Sequence, residues 1–244
     1  NPIYGVEAYY VDDMNEKDSR KTYHIIIIAM TNNGRKQINK IISKAYNDGF
    51  YYKPRIDLEC LLSLNPNDVV ITTACIATRL FKGNNWKEDF FLPLLNHFGD
   101  HFFLEVQDHN HITQKELNKN ILDLHGEYGV KIIHGCDSHY IYPEDAKIRN
   151  MFLNAKGMNY GDEDSFVLDY PDYDDILKRY KEQGILTKSQ AIEAIDNTLI
   201  FDEAEPIELD FEFKLPKIFK EDSTSHLRRI ILEEFKKKIP YRTM

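Results

Sequence analysis

The chain has 244 residues, 42% of them hydrophobic, which suffices for one large domain or two small ones around a real core. A formal net charge of -9 excludes bulk attraction to nucleic-acid phosphates, so any contact with DNA has to be local or assisted. The three cysteines, Cys60, Cys75 and Cys136, are too far apart for a disulfide framework, and no hydrophobic run approaches the roughly 20 residues of a membrane helix, so the chain reads as cytoplasmic with no membrane partner.

In chain order, residues 1–10 open directly into a strand approach without an initiating methionine, and both termini are expected to be internal positions of something longer. Residues 23–30 read as a buried strand, and a helix over 32–49 follows, introduced by Thr31-Asn32-Asn33-Gly34 with Ile38, Ile41, Ile42 and Ala45 on its apolar side. In the loop over 50–55, Tyr51 and Tyr52 are expected to pack against the core, leaving Lys53 and Arg55 wet or in contact with an anion beside an active rim. Buried strands are predicted over 68–73, 101–106 and 130–134, with a helix carrying Leu117, Ile121, Leu122 and Leu124 between the last two. The texture then changes to an acidic helical appendage over about 160–205. It contains one helix over 176–183 ended by Gly184 and another over 187–198 capped by Thr187 or Ser189. Residues 208–216 alternate and exit at Leu215-Pro216, and 227–238 form an amphipathic helix. Alternating strands and helices predict an α/β layer or barrel in which the loops after strands carry the chemistry.

Candidate ligands cluster at the strand ends. Asp137 and His139 share a strand face at spacing i, i+2 and can aim at one ion, although a polar loop after a buried strand uses the same residues. Glu7, flanked by Val6 and Ala8, needs a partner if buried. Cys75 follows a strand and is a ligand or a small buried hydrophobe. His24 begins its strand whereas the others end theirs, so it joins them only if that strand runs opposite to its neighbours. His109 and His111 follow the 101–106 strand and could face the same rim or form a surface turn. His97, His101, His125 and His226 have no convergent partners in the sequence and are assigned no chemistry.

Beyond these pairs, the ordered stretches Pro2-Ile3-Tyr4-Gly5-Val6-Glu7-Ala8-Tyr9, Tyr23-His24, Ser43-Lys44-Ala45-Tyr46, residues 49–56, Thr73-Ala74-Cys75-Ile76, residues 104–109, Cys136-Asp137-Ser138-His139-Tyr140 and Leu209-Asp210-Phe211 carry a resemblance. Together they resemble the polymerase and histidinol phosphatase (PHP) domain of bacterial and phage DNA polymerase III alpha subunits. The resemblance implies a distorted, TIM-like (βα)7 barrel over 1–215 that lacks its amino-terminal strand and His-x-His motif, with 216–244 leading toward a polymerase palm. It implies Glu7, His24, Cys75, Asp137 and His139 as ligands of divalent ions, Zn, Mn or Mg; beside them Lys53, Arg55 and His109, from their own positions in the chain, are candidate rim or phosphate contacts. Where the family commonly has Gly-Glu after the cysteine, this chain has Thr78-Arg79.

The implied parent is a DNA-directed DNA polymerase using Mg, DNA and deoxynucleoside triphosphates, in company with other replisome subunits. Its PHP region would be a metal-dependent 3′-5′ exonuclease or phosphoesterase, inactive in the present segment. A free-standing phosphatase of the same superfamily and a non-catalytic scaffold or interaction module stand as alternatives.

Overall fold

The computed structural model describes residues 2–158, 166–213, 216–217, 219–220 and 222–238. The acidic run 162–164 and the exit residue Leu215 lie outside the described residues, as does the expected boundary at 215. The chain divides into two units, Asn1–Ile207 and Glu208–Met244.

The first unit is built on strands β1 (Gly5–Tyr10), β2 (Tyr23–Ala29), β3 (Arg55–Ile56), β4 (Val69–Thr72), β5 (Phe102–Val106) and β6 (Ile132–His134). They form one mixed sheet in the order β3-β1-β2-β4-β5-β6. The β1–β3, β4–β5 and β5–β6 pairs are parallel. Only β2 runs against its neighbours, pairing antiparallel with both β1 and β4. The start of β2 therefore lies at the sheet end where β1 and β4 finish, with Tyr9 opposite His24 and Thr72 opposite Ile26.

Side chains alternate across this sheet with period two, and the two faces have different tasks. Ala8, Tyr10, Ile25, Ile27, Val69, Ile71, Phe102, Leu104, Val106 and Ile132 point into the main core. Onto that face pack α1 (Asn32–Asn47), α3 (Leu92–Phe98) and α4 (Ile112–Tyr128), through Ile38 and Ile41, Leu94 and Phe98, and Ile121 and Leu124 respectively. Helices α6 (Tyr173–Gln183) and α7 (Lys188–Asp196) join the same core through Ile176, Tyr180, Ala191 and Ala194. Helices α6 and α7 of the region expected as an appendage are thus packed into the core of the first unit. On the opposite face Met30, Val70, Phe103, Ile133 and Ala204 form a smaller cluster with Ile200 and Phe201. The rest of that face carries Glu7, Tyr9, His24, Thr72 and Glu105 together with Ile26 and Ile28 of β2.

Local chemistry explains the helix ends. Thr31 caps α1 by accepting from the Gly34 N–H at 3.0 Å, and its hydroxyl donates to Asp68 Oδ1 at 2.6 Å. Gly34 has to be glycine because a Cβ there would stand 2.1 Å from the Asp68 carbonyl oxygen. Gly129 and Gly184 end α4 and α6 in the left-handed conformation. Two helices are not among those expected from the sequence: α2 (Leu58–Leu62), and α5 (Ala146–Ala155), whose Ile148, Met151, Phe152 and Ala155 stand at helical spacing although none of its residues is buried.

Within the second unit, α8 (Ser223–Lys238) begins at Asp222, whose carboxylate accepts from the Ser225 N–H at 2.8 Å. Leu227, Ile231 and Phe235 lie along one exposed stripe of α8 at helical spacing.

Candidate functional site

The polar half of the second sheet face opens into a cleft of about 720 Å³, lined by Glu7, Tyr9, His24, Lys53, Cys75, Gln107, His109, Asp137, His139, Arg149 and Phe152 among others. A smaller cavity of about 200 Å³ adjoins it and shares Glu7, Cys75, Gln107 and Asp137, with Glu105 and Thr72 in its lining. Five residues proposed from sequence as ligands, spread over more than 130 positions, thus line one cleft.

Their placement follows from the topology. Glu7 lies on the cleft face of β1, and His24 begins the single reversed strand, which is the condition its candidacy required. Glu7 Oε1 is 2.6 Å from His24 Nδ1, and Cys75 Sγ is 3.6 Å from the same nitrogen. The bond from His24 is the main reason that the Glu7 carboxyl is held below its ordinary range. Burial pushes the Cys75 thiol up to about 12, with the charges of Asp137 and Glu7 adding to it, so the thiolate needs a cation to form at neutral pH. Asp137 sits in the loop after β6 with φ of +48°, a left-handed conformation that aspartate tolerates better than most residues. That turn lets His139 Nδ1 reach back to the Asp137 carbonyl at 2.7 Å. The His139 ring is 4.0 Å from Asp137 Oδ1. Among the described residues no three of these groups stand close enough together to enclose an ion without adjustment.

The rim residues separate into two kinds. Lys53 is exposed, lines the cleft and holds its ammonium 4.0 Å above the Tyr9 ring. Arg55, expected to remain wet or at the rim, is instead 1% exposed and absent from the cleft. Its guanidinium donates to the carbonyls of Gly49 (3.0 Å), Glu16 (2.8 Å) and Met14 (2.8 Å), tying two loops to β3. Of the two tyrosines expected to pack their loop against the core, Tyr52 is exposed with φ of +60°. Thr78 and Arg79 are buried outside the cleft lining; Arg79 bonds Asp12 through Nε at 2.8 Å and Nη2 at 3.1 Å. The departure at these two positions therefore serves loop structure.

Several groups under the cleft were not singled out from sequence. Glu105 is fully buried, accepting from Thr72 Oγ1 at 2.6 Å and Gln107 Nε2 at 2.9 Å. Burial raises its pKa to about 7. A carboxylate between Leu104 and Val106, in a strand buried throughout, was the available signal, by the same reasoning that marked Glu7. His134 Nδ1 is 2.8 Å from the Tyr180 hydroxyl, and His134 Nε2 is 3.2 Å from Cys136 Sγ. Tyr180 gives its one proton to the Val106 carbonyl at 3.0 Å, so His134 donates from Nδ1 and accepts the thiol proton at Nε2. Burial lowers His134 to about 4 and raises Cys136 to about 11, which keeps both neutral at pH 7. From α6, Arg179 pairs with Asp169 at 2.7 Å and approaches Asp108 at 3.8 Å. Nothing in the sequence linked α6 to the loop after β5.

The remaining histidines have structural partners. His97 and His125 donate to the carbonyls of Leu64 (2.8 Å) and Val130 (2.9 Å), and His101 donates to that of Pro66. His111 caps α4.

A mixed α/β sheet with a carboxylate, histidine and thiol cleft at the ends of its strands is the setting in which the PHP family model matches residues 1–109. The chain contains a PHP-domain region homologous to DNA polymerase III alpha subunits. It is 34% identical to the DNA polymerase III subunit alpha of Aquifex aeolicus over 59% of this chain and 14% of that protein. It is 30% identical to the corresponding subunit of Borreliella burgdorferi over 81% of this chain and 18% of that protein. The DNA-directed DNA polymerase of Bacillus phage SPbeta is also 30% identical, over 88% of this chain and 19% of the polymerase. The chain spans less than a fifth of the length of these curated relatives.

Proposed function

We propose that this chain is the PHP region of a template-directed DNA polymerase and that its cleft is a divalent-metal site for phosphoester hydrolysis. The observation that carries the reading is the convergence of Glu7, His24, Cys75, Asp137 and His139 on one cleft from within β1, the start of β2 and the loops after β4 and β6. On the same reading the sheet is part of the family's distorted barrel, with the polar face inward, DNA and deoxynucleoside triphosphates as ligands of the whole protein, and other replisome subunits as its partners.

The donor set, two imidazoles, two carboxylates and a thiol, suits Zn or Mn better than Mg, which prefers oxygen ligands. Glu7, His24 and Cys75 would hold an ion on one side of the cleft, and Asp137 and His139 would approach it from the other. A bound divalent ion would lower the pKa of water and polarise a phosphoryl oxygen. The chain's own residues supply the rest: Lys53 adds positive charge at the mouth, and Gln107, bonded to Glu105 of the adjoining smaller cavity, lines the inner wall.

The test is direct. Full-length protein should bind Mn2+ and release the terminal nucleotide of single-stranded DNA in a Mn2+-dependent manner. Asp137→Asn should reduce that release at least a hundredfold while primer extension persists. Unchanged nucleotide release in Asp137→Asn would remove the cleft from the chemistry.

A second reading, a scaffold that supports the polymerase without turnover, is favoured by one observation: Glu7 and His24 already satisfy each other at 2.6 Å. It predicts primer extension together with no Mn2+-dependent nucleotide release by the wild type.

A further inference from the structure

Among helices α1 to α7, α5 alone has no buried residue. The core does not account for its apolar side chains. Two of them, Phe152 and Leu153, instead line the 720 Å³ cleft, and Met158, Phe166 and Leu168 extend that apolar wall. A cleft of this volume lies in the range of about 300–1,000 Å³ that encloses a whole small molecule, more than a phosphoryl group needs. Of the tyrosine and phenylalanine rings in the lining, two are already covered. The Lys53 ammonium stands 4.0 Å from the centroid of Tyr9, and the His24 ring meets Tyr9 edge-on at 5.5 Å. Phe166 lies against His109 and His111 at 4.9 Å and 5.0 Å. Phe152 is different: it is 58% exposed, and no aromatic ring among the described residues packs on it. Lys156, one helical turn on, holds its ammonium 5.6 Å from the Phe152 centroid, and Arg149, one turn back, lines the cleft beside it. An open ring between cations at i−3 and i+4 has the composition of a single-strand stacking platform, in which the ring takes a base and the cations take the flanking phosphates.

We propose that Phe152 is the base-contacting residue of this cleft: the nucleobase of the terminal nucleotide stacks on its ring. The inference rests on the phosphoester reading and narrows its substrate class to nucleotide ends, as against phosphate esters that carry no base. With a net charge of -9 the protein attracts phosphates only through local cations, and that attraction is screened by salt. A stacked base adds affinity of another kind, apolar and independent of charge. The side chains around the ring, Leu153, Met158 and Leu168, offer no strong donor or acceptor to a base edge. Phe152 therefore reads the face that every base has, and all four bases serve alike.

The experiment compares full-length wild type with Phe152→Ala and Phe152→Trp. The substrates are two single-stranded oligonucleotides, identical except that the 3′-terminal residue carries thymine in one and no base in the other, and Mn2+-dependent release of that residue is followed. Phe152→Ala should raise KM for the base-bearing end about tenfold, equivalent to about 1.4 kcal/mol, with kcat within about twofold. Its KM for the base-free end should stay within about twofold of wild type. Trp keeps a stacking face and should hold both values within about threefold. Because the ring is outside the core, the three melting temperatures should agree within about 1 °C. A second readout needs no turnover: irradiation with an oligonucleotide ending in 5-iododeoxyuridine should attach it to Phe152 of the wild type, as read by peptide mass spectrometry.

A KM for the base-bearing end that Phe152→Ala leaves unchanged would reduce the ring to exposed surface of α5 and overturn the proposal. So would equal rises for the two ends, which would mean that the ring shapes the cleft without meeting a base, and so would the absence of a photoproduct at Phe152. A wild type that forms this photoproduct yet releases no nucleotide would overturn the phosphoester reading and keep the base contact, whereas one that does neither would overturn both.

Discussion

Glu105 provides a quantitative test of the smaller cavity beside the cleft. Its carboxyl has an ordinary pKa of 4.5 and is raised to about 7 in the fold by burial, against the bonds from Thr72 and Gln107 and with help from the Asp137 and Glu7 charges. From pH 4.5 upward the unfolded chain gives up this proton while the folded chain keeps it. Stability therefore falls with rising pH across that window and levels off above about pH 7. At about 1.4 kcal/mol per pH unit, the gap from 4.5 to about 7 amounts to about 3 kcal/mol. Glu105→Gln removes the titration and keeps the geometry, because the amide oxygen can accept from Gln107 and the amide nitrogen can donate to Thr72 Oγ1. The assay is urea denaturation of both proteins from pH 5 to pH 8 in chelator. Comparing the two cancels groups that titrate in both, including Asp108, which burial raises to about 6. The stability of Glu105→Gln relative to wild type should rise by about 2–3 kcal/mol between pH 5 and pH 8. Parallel stability curves for the two proteins would refute the reasoning, because they would mean that Glu105 is ionised in both states over the whole range.

Arg55→Met should destabilise by about 3–5 kcal/mol, since it leaves three carbonyls without their donor, and Lys53→Met should cost under about 0.5 kcal/mol. Thermal melts that place the two substitutions within about 1 kcal/mol of each other would contradict the division between a buried tie and an exposed rim residue. Gly135→Ala would set a Cβ 2.2 Å from Glu105 Oε1 and 2.6 Å from its Cδ, where both carboxylate oxygens are already committed. A loss of about 1–3 kcal/mol is expected from overpacking. A double-mutant cycle with Glu105→Ala should recover about 1 kcal/mol or more of it, and full additivity would show that the strain lies elsewhere.

The order of elements and the residues of the candidate site were legible in the chain because both are written in local pattern. The isoleucine run in β2, the apolar spacing of α1 and α4, and the cap at Thr31 follow from side-chain periodicity and backbone donors within a few residues. Glu7, His24, Cys75, Asp137 and His139 stood out as polar groups at the ends of apolar strands, and their resemblance to the PHP pattern put them in order. Helix α2 was not legible because it has too few residues to show a period, whereas α5 carries its period in Ile148, Met151, Phe152 and Ala155 and went unread.

Tertiary structure alone decided which way β2 runs, and with it whether His24 joins Glu7, since strand direction depends on pairing partners far away in the chain. It also decided that Arg55 serves three carbonyls inside the fold while Lys53, two residues earlier, stays at the cleft mouth. Both are basic residues in one loop, and only burial separates them. The same holds for α6, which an acidic flank made look like an appendage. Its Arg179, Tyr180 and Gln183 reach Asp169, the Val106 carbonyl and the His109 carbonyl, over separations of 10, 74 and 74 residues. Local sequence carries the period and the capping of an element, whereas the partner of a buried donor is set by which distant chain the core brings against it.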